Sequence, residues 1–294
     1  MSHRLLVAGS IALDTRDGPF GAVEEELGGS AIYFALAASL IIPVTVVAPV
    51  GLDAGARVTE AFGSRPVDTT FVQSLQAPTY RWRAHQQNGR NVDLGNSDSI
   101  YNVWEPSVPH GFDGWAFVGS MRPDRQAQLM HMVGGAKLLA ADAMLSYLHS
   151  QPPEAREVLR RAGWYFCNHE EFTALGGTDP QEFRRRWSLD GLVVKAGALG
   201  ATAYTDDLVV NIPALTSRPV VDTTGAGDAL AGGLLARACS QGGRHDWLQD
   251  ALVWGVACAS LTISDVGVRG IARATREQLE ECVGEVRECL HRKS

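Results

Sequence analysis

The stretch Val220-Val221-Asp222-Thr223-Thr224-Gly225-Ala226-Gly227-Asp228-Ala229-Leu230 leads from a β-branched run through a Gly-x-Gly turn into an apolar helix over Ala231 to Cys239. A strand that ends in Asp-Thr-Thr and opens a helix through glycines aims several backbone N–H groups, and the positive end of the helix dipole, at one point. The stretch therefore reads as an anion site. Gly225 and Gly227 let the backbone approach the anion and permit positive φ, as converging N–H groups require. Asp228 then falls in the first helical turn. Taken alone, the residues also allow Asp228 to be a simple complement to the dipole and Asp222 a turn cap. A P-loop is excluded, because no Gly-x-x-x-x-Gly-Lys-Ser/Thr occurs. The Rossmann fingerprint fails too, since Leu230 stands where its third glycine belongs.

Upstream, Leu5 to Ala8 ending in Gly9-Ser10 is an unalternating apolar run bounded by a turn, as a strand covered on both faces requires. Helical and strand signals then alternate. Helices are expected at Ser30 to Ile41, Gly55 to Phe62, Arg125 to Met132 and Glu154 to Arg161, with strands at Val44 to Val47, Trp115 to Val118, Lys137 to Ala141, Trp164 to Cys167 and Leu192 to Lys195. A hairpin over Ala201 to Tyr204 and Leu208 to Val210 follows, then helices from near Gly225, Trp247 and Arg276. Such βαβ alternation implies an α/β fold with a mostly parallel central sheet covered on both sides. Residues 12–27 and 78–106 break the pattern. They are polar, carry turn signals such as Asn88-Gly89 and Gly95-Asn96, and are expected to form a small separate β-sheet.

Composition narrows the function classes. The 294 residues suit one large domain, and 33 acidic against 26 basic side chains give a net charge of -7, which disfavours nucleic acid and anionic membranes as partners. Arg184, Arg185 and Arg186 are too few for a phosphate track and read as a solvated helix face. The 5 cysteines, widely spaced and without a C-x-x-C pair, point to reduced thiols in a cytoplasmic protein and against structural zinc. Ala31 to Val50 is nearly long enough to span a bilayer, but Pro43 and Pro49 interrupt it, so a buried helix followed by a buried strand is expected. The apolar run near the N-terminus is too short for a signal peptide.

Asp-Thr-Thr-Gly-Ala-Gly-Asp at 222–228 resembles the second signature of the ribokinase-like (PfkB) family of carbohydrate and nucleoside kinases. Gly28-Gly29-Ser30-Ala31 resembles that family's N-terminal Gly-Gly motif, Asn168-x-x-Glu171 its Asn-x-x-Glu element, and Lys195-Ala196-Gly197-Ala198-Leu199-Gly200 its nucleotide loop. The order is the family's, and the likeness spans roughly residues 4 to 285. It implies one ribokinase-like three-layer domain over residues 1–294, with the small sheet as a lid over the substrate.

The resemblance also implies roles. Asp14, Gly28, Gly29 and Ser30 would hold the acceptor, a carboxylate suiting adjacent hydroxyls. Tyr33 departs from the family pattern by standing where many members have an asparagine on a sugar hydroxyl. Lys195, Gly197, Gly200 and Thr224 would contact the cofactor ATP. Asn168 and Glu171 would hold Mg2+ through water, with Glu170 the competing acid. Asp222, with Thr224, lies around the monovalent-cation (K+) site of some members. The amides of Gly225, Ala226 and Gly227 would bind the transferring phosphoryl oxygens while Asp228 takes the proton of the attacking hydroxyl. Trp82 and Tyr101 are candidates to stack on a base or to pack the lid against the core or a second copy, forming a homodimer. Arg81 and Arg83 are candidates for phosphate contact, with exposure the default. The implied activity is ATP-dependent phosphorylation of a primary hydroxyl on a small sugar, polyol or nucleoside, leaning to a nucleoside or atypical polyol. A non-catalytic sugar- or nucleotide-binding regulator, or a lyase of the same fold, is the alternative. The intact Asp228 after Gly-x-Gly speaks for catalysis.

Overall fold

Thirteen strands are placed among residues 4–243 and 247–292, which the structure, a computed structural model, describes. Met1 to His3, ahead of the apolar run at Leu5, lie outside the described residues. The strands are β1 (Leu5–Ala8), β2 (Ala12–Gly18), β3 (Gly21–Gly28), β4 (Val44–Gly51), β5 (Val67–Leu75), β6 (Tyr80–Gln87) and β7 (Arg90–Ser97). They continue as β8 (Trp115–Val118), β9 (Leu138–Asp142), β10 (Trp164–Asn168), β11 (Gly191–Lys195), β12 (Ala201–Tyr204) and β13 (Val209–Ile212).

The large sheet runs β13-β12-β11-β10-β9-β8-β1-β4-β5, parallel from β11 to β5 and antiparallel at the β12 and β13 edge. Alternation along a strand feeds two cores, because successive side chains leave opposite faces. In β1, Leu5 and Val7 enter the core with Phe34, Leu234 and Trp254, whereas Leu6 and Ala8 enter the one with Tyr101, Trp104 and Tyr165. The Ser30–Ala38 helix is buried along its whole length and followed by β4, which disposes of the bilayer-length apolar run. Among the described residues no helix is long and apolar enough to cross a membrane. All five cysteines are free thiols.

A second sheet, β3-β2-β6-β7, is built from the two polar interruptions. Its β2–β6 pairing is parallel and the outer pairings are antiparallel.

Several expectations need correction. Val220 to Thr224 is not a strand: the N–H of Val221 donates to Ile263 O just beyond the Trp247–Thr262 helix (2.8 Å), and Val220 is 59% exposed. Pro219 and the Asx turn in which Thr224 N donates to Asp222 Oδ1 (3.0 Å) take the donors a sheet would need. The first long helix ends at Ala38, short of Ile41. β5 has polar residues on most of its length and gave no hydrophobic signal, being a sheet edge. Arg184 is buried, its guanidinium donating to Leu189 O and pairing with Asp206, so only Arg185 and Arg186 form a solvated face. Tyr101 and Trp104 leave the small sheet at the Ile100–Val103 turn of helix and pack in the core.

Candidate active site

Three adjacent parallel strands deliver Asp142, Asn168 and Lys195 to one edge, with Asn168 opposite Lys195 and Phe166 opposite Asp142 in register. The carboxyl ends of parallel strands are where α/β folds place ligands. Asn168 and Glu171 form a reciprocal helix cap: Asn168 Oδ1 accepts from Glu171 N and Glu171 Oε2 accepts from Asn168 N, both at 2.8 Å. That cap fixes Glu171 facing the cluster. Glu170, the competing acid, turns out to pair with Arg90 at 2.6 Å.

The Ala226–Ser240 helix begins against this edge. Gly225 is its N-cap at φ 74, in the left-handed region, and a Cβ there would overlap the Tyr33 ring. The first-turn N–H groups have no acceptor within the helix and so remain available to an anion. A methyl at Gly227 would lie 2.8 Å from Lys195 Nζ, so the ammonium sits beside that helix start.

Electrostatics tie these groups together. Burial raises Asp228 to about 6, against the pull of Lys195 and with reinforcement from Glu171. The helix dipole alone would have held it low, so burial decides. Burial and then the Asp228 charge push Asp142 well above the carboxylate range, and its Oδ1 has no partner among the described residues. Burial also raises Glu171 despite Lys195. For Lys195, burial lowers the value, but Glu171, Asp142 and Asp228 together outweigh it and leave it above normal. Three acids thus lie around one ammonium, yet among the described residues no group of three or more His, Cys, Asp or Glu is placed to hold a metal ion directly, so a divalent ion here would have to keep its own waters.

The acceptor-side candidates lie on β2, at the end of β3 and at the following helix start. Asp14 is buried, and burial raises it to about 7 against the lowering effect of Arg16, with Asp222 and Asp228 adding to the rise. A Cβ on Gly28 would overlap its carboxylate, which places the Gly-Gly turn against Asp14. Gly29 caps the helix at φ 100. Ser30 is not a free polar contact: its hydroxyl donates to Ser120 O (3.0 Å) and accepts from Ser10 N (3.0 Å). Tyr33 is buried, its hydroxyl without a partner among the described residues, and the charges that act on it are those of Asp14, Arg16, Asp222 and Asp228. Gly197 and Gly200, both at positive φ, bracket a single 3-10 turn after β11. Arg81 is engaged with Glu25 and Asp53, and Arg83 is exposed.

Two residues escaped the sequence reading. Asp142 extends the Lys137 to Ala141 strand by one residue, onto the ligand edge. Arg16 follows Asp14 by two, and that spacing puts side chains on one face of a strand. Its buried guanidinium bonds Asp222 Oδ2 (2.5 Å) and Thr224 Oγ1 (2.8 Å). Gln86 and Asn91 of the small sheet also reach this loop, bonding Thr223 Oγ1 (2.9 Å) and Thr224 Oγ1 (3.0 Å). The small sheet is thereby fastened to the segment that precedes the Gly225 turn.

The description "pfkB family carbohydrate kinase" matches residues 11–274. The cytidine kinase of Thermococcus kodakarensis is 27% identical over 245 residues, covering 79% of this chain and 87% of that one. A nucleoside kinase from Burkholderia thailandensis in complex with inosine superposes with a TM-score of 0.77 at 21% identity, covering 96% of this chain and 98% of that one. A double mutant of the Vibrio cholerae fructokinase, with fructose, ADP and potassium bound, superposes with a TM-score of 0.77 at 19% identity, covering 96% and 99%. Since the family match takes in the small sheet, the Gly-Gly helix start and the Asp222 to Asp228 loop in one span, the chain belongs to the pfkB family of carbohydrate kinases and is a phosphotransferase acting on an alcohol group.

Proposed function

We propose that this sugar or nucleoside kinase transfers the terminal phosphoryl group of ATP to the primary hydroxyl of a nucleoside. The observation that carries the proposal is the convergence of the first-turn amides after Gly225, Lys195 Nζ beside Gly227, and the crowded carboxylate of Asp228. Phosphoryl transfer passes through a loose transition state, so positioning and charge neutralisation supply most of the catalysis. Gly225, Ala226 and Gly227 amides hold the transferring oxygens. Lys195 neutralises phosphate charge, while Gly197 and Gly200 shape the nucleotide loop. Asp14 accepts hydroxyl hydrogens of the acceptor, and Asp228 takes the proton as the new P–O bond forms. Glu171 and Asp142, with Asn168, would hold Mg2+ through water. When bound, the ion neutralises the charge of the nucleotide phosphates.

The nucleoside preference is supported by the cytidine kinase relative and by Trp82, which is half-buried and opposite Asp14 in the β2–β6 register, hence on the same face of the small sheet. An aromatic ring beside a hydroxyl-binding carboxylate suits a base attached to a ribose. The test is ADP release with a panel of nucleosides, pentoses, hexoses and inositols, followed by phosphorus NMR of the product. A nucleoside converted to its primary phosphate with the highest kcat/KM is the expected result. A free sugar outperforming every nucleoside would overturn the preference, and no phosphorylated acceptor would overturn the mechanism.

Two substitutions test the site. Glu171→Gln keeps an oxygen to accept from Asn168 N but removes the charge. It should raise the Mg2+ concentration needed for nucleotide binding by roughly tenfold, as loss of an outer-shell ligand does. Calorimetric titration with and without Mg2+ checks this, and an unshifted requirement counts against the metal assignment. Asp14→Asn should weaken acceptor binding by about 2–4 kcal/mol, the loss of charge-assisted hydroxyl bonds, with nucleotide affinity unchanged. Its effect on stability has the opposite sign. A folded value near 7 against 3.8 unfolded means that Asp14 favours folding at low pH and that this contribution is lost as pH rises from about 4 to 7. At pH 8 Asp14→Asn should therefore melt higher than wild type, by at most about 4 kcal/mol, whereas near pH 4 the two should coincide.

A further inference from the structure

We propose that Arg16 is a built-in monovalent cation: its guanidinium fills the position beside Asp222 and Thr224 that potassium would take, making nucleotide binding and turnover independent of potassium. The Asp222–Thr224 segment was implied to lie around a monovalent-cation site, and the fructokinase neighbour carries potassium. The residues here do not fit a free ion. A carboxylate offers about four lone-pair directions, and a second cation needs some of them open. Asp222 Oδ2 receives Arg16 Nη1 at 2.5 Å and Gly267 N at 2.8 Å, while Oδ1 receives Thr224 N at 3.0 Å and Gln86 Nε2 at 3.4 Å. Thr224 Oγ1 receives Arg16 Nη1 at 2.8 Å and Asn91 Nδ2 at 3.0 Å. Every donor on these oxygens is an N–H.

Charge leads to the same conclusion. The side chains of Arg16 and Asp222 are 1% and 0% exposed, so the pair is compensated within itself. A potassium ion placed on the same oxygens would stand against the Arg16 guanidinium, like charge against like charge, in a dry site. Arg16 is moreover carried by β2 of the small sheet, whereas Asp222 and Thr224 lead directly into Gly225. The same bond therefore neutralises the loop and ties it to the strand bearing Asp14. Arg16 is a positioning residue on this account, since it acts through the Asp222 to Gly225 loop.

The experiment exchanges KCl for choline chloride at constant ionic strength and reads the thermal midpoint and the calorimetric Kd for ADP. Wild type should show no dependence on potassium. Arg16→Ala leaves the Asp222 carboxylate with its neutral N–H donors but without the guanidinium charge, and opens space for an ion beside it. In choline it should bind ADP roughly 10–150-fold more weakly, the loss of a hydrogen bond to a charged group, and recover on adding KCl or guanidinium chloride. Arg16→Lys, which keeps the charge, should remain indifferent to potassium. A wild-type protein that binds ADP more tightly in potassium overturns the proposal, as does a folded Arg16→Ala variant that neither potassium nor guanidinium restores. If Arg16→Ala does not fold in either salt, potassium dependence in wild type or in Arg16→Lys overturns the proposal and its absence from both supports it. The reading of the site as a kinase underlies the turnover claim only. ADP binding and melting need no acceptor, so failure to find a phosphorylated alcohol leaves this result standing.

Discussion

Asp228→Asn is expected to lower turnover roughly 10²–10⁴-fold, the usual contribution of a positioned general base, while ATP and the acceptor still bind. The substitution keeps the shape and hydrogen-bonding outline of the side chain and removes only the proton acceptor. In a purely structural role Asp228 would complement the helix dipole, and its loss would cost about 0.3–1 kcal/mol of stability with turnover per folded molecule nearly unchanged. The burial of this site separates the two cases further. Burial, more than the nearby Glu171 charge, raises Asp228 to about 6 against the pull of Lys195, so a neutral side chain at this position removes a charge that is costly to bury. The midpoint of the variant should therefore not fall, in contrast to its turnover. Single-turnover rates and melting measured on one preparation decide between them. A variant as fast as wild type on its own acceptor would remove Asp228 from the chemistry.

Gly225→Ala should produce the largest loss of stability among substitutions at the site, about 2–5 kcal/mol. Backbone in the left-handed region costs a non-glycine residue roughly 1–2 kcal/mol. The new methyl also overlaps the Tyr33 ring, and overpacking of a buried contact adds about 1–3 kcal/mol. Because the strain falls on the turn that starts the helix proposed to bind the phosphates, nucleotide affinity should drop with it. A double-mutant cycle with Tyr33→Leu separates the parts: the smaller side chain should restore the packing share and leave the backbone share. If Tyr33→Leu restores nothing, the ring is not what Gly225 has to clear.

Much of this protein is legible without coordinates. The buried parallel strands announce themselves because two covered faces demand unbroken apolar runs such as Leu5 to Ala8 and Leu192 to Val194, and Gly55–Phe62 and Trp115–Val118 fall at the expected residues. The glycine-led start of the Ala226–Ser240 helix is equally local, since glycine at φ 74, a capping turn and an acid in the first turn are properties of neighbouring residues. The polar, turn-rich interruptions identified the small sheet for the same reason.

What depended on tertiary structure is the pairing of groups far apart in sequence and the burial that sets their charge. Val220–Val221 looked like a strand because β-branched residues favour one, yet the Val221 N–H donates to Ile263 O at a helix end instead of to a neighbouring strand. Tyr101 and Trp104 looked like lid aromatics, yet the chain turns them into the core. Asp142 becomes part of the site only where β9, β10 and β11 end together, and Ser30 is withdrawn from it by Ser10 and Ser120. Arg16 and Asp222 are separated by 206 positions, and nothing in local periodicity brings them into contact. The amino-acid sequence by itself determined the α/β alternation and the chemistry of the glycine turn, because both rest on nearest-neighbour backbone preferences. Which carboxylates crowd one lysine, and which cation neutralises Asp222, only the folded chain decided, because desolvation and Coulomb energy depend on distance in space.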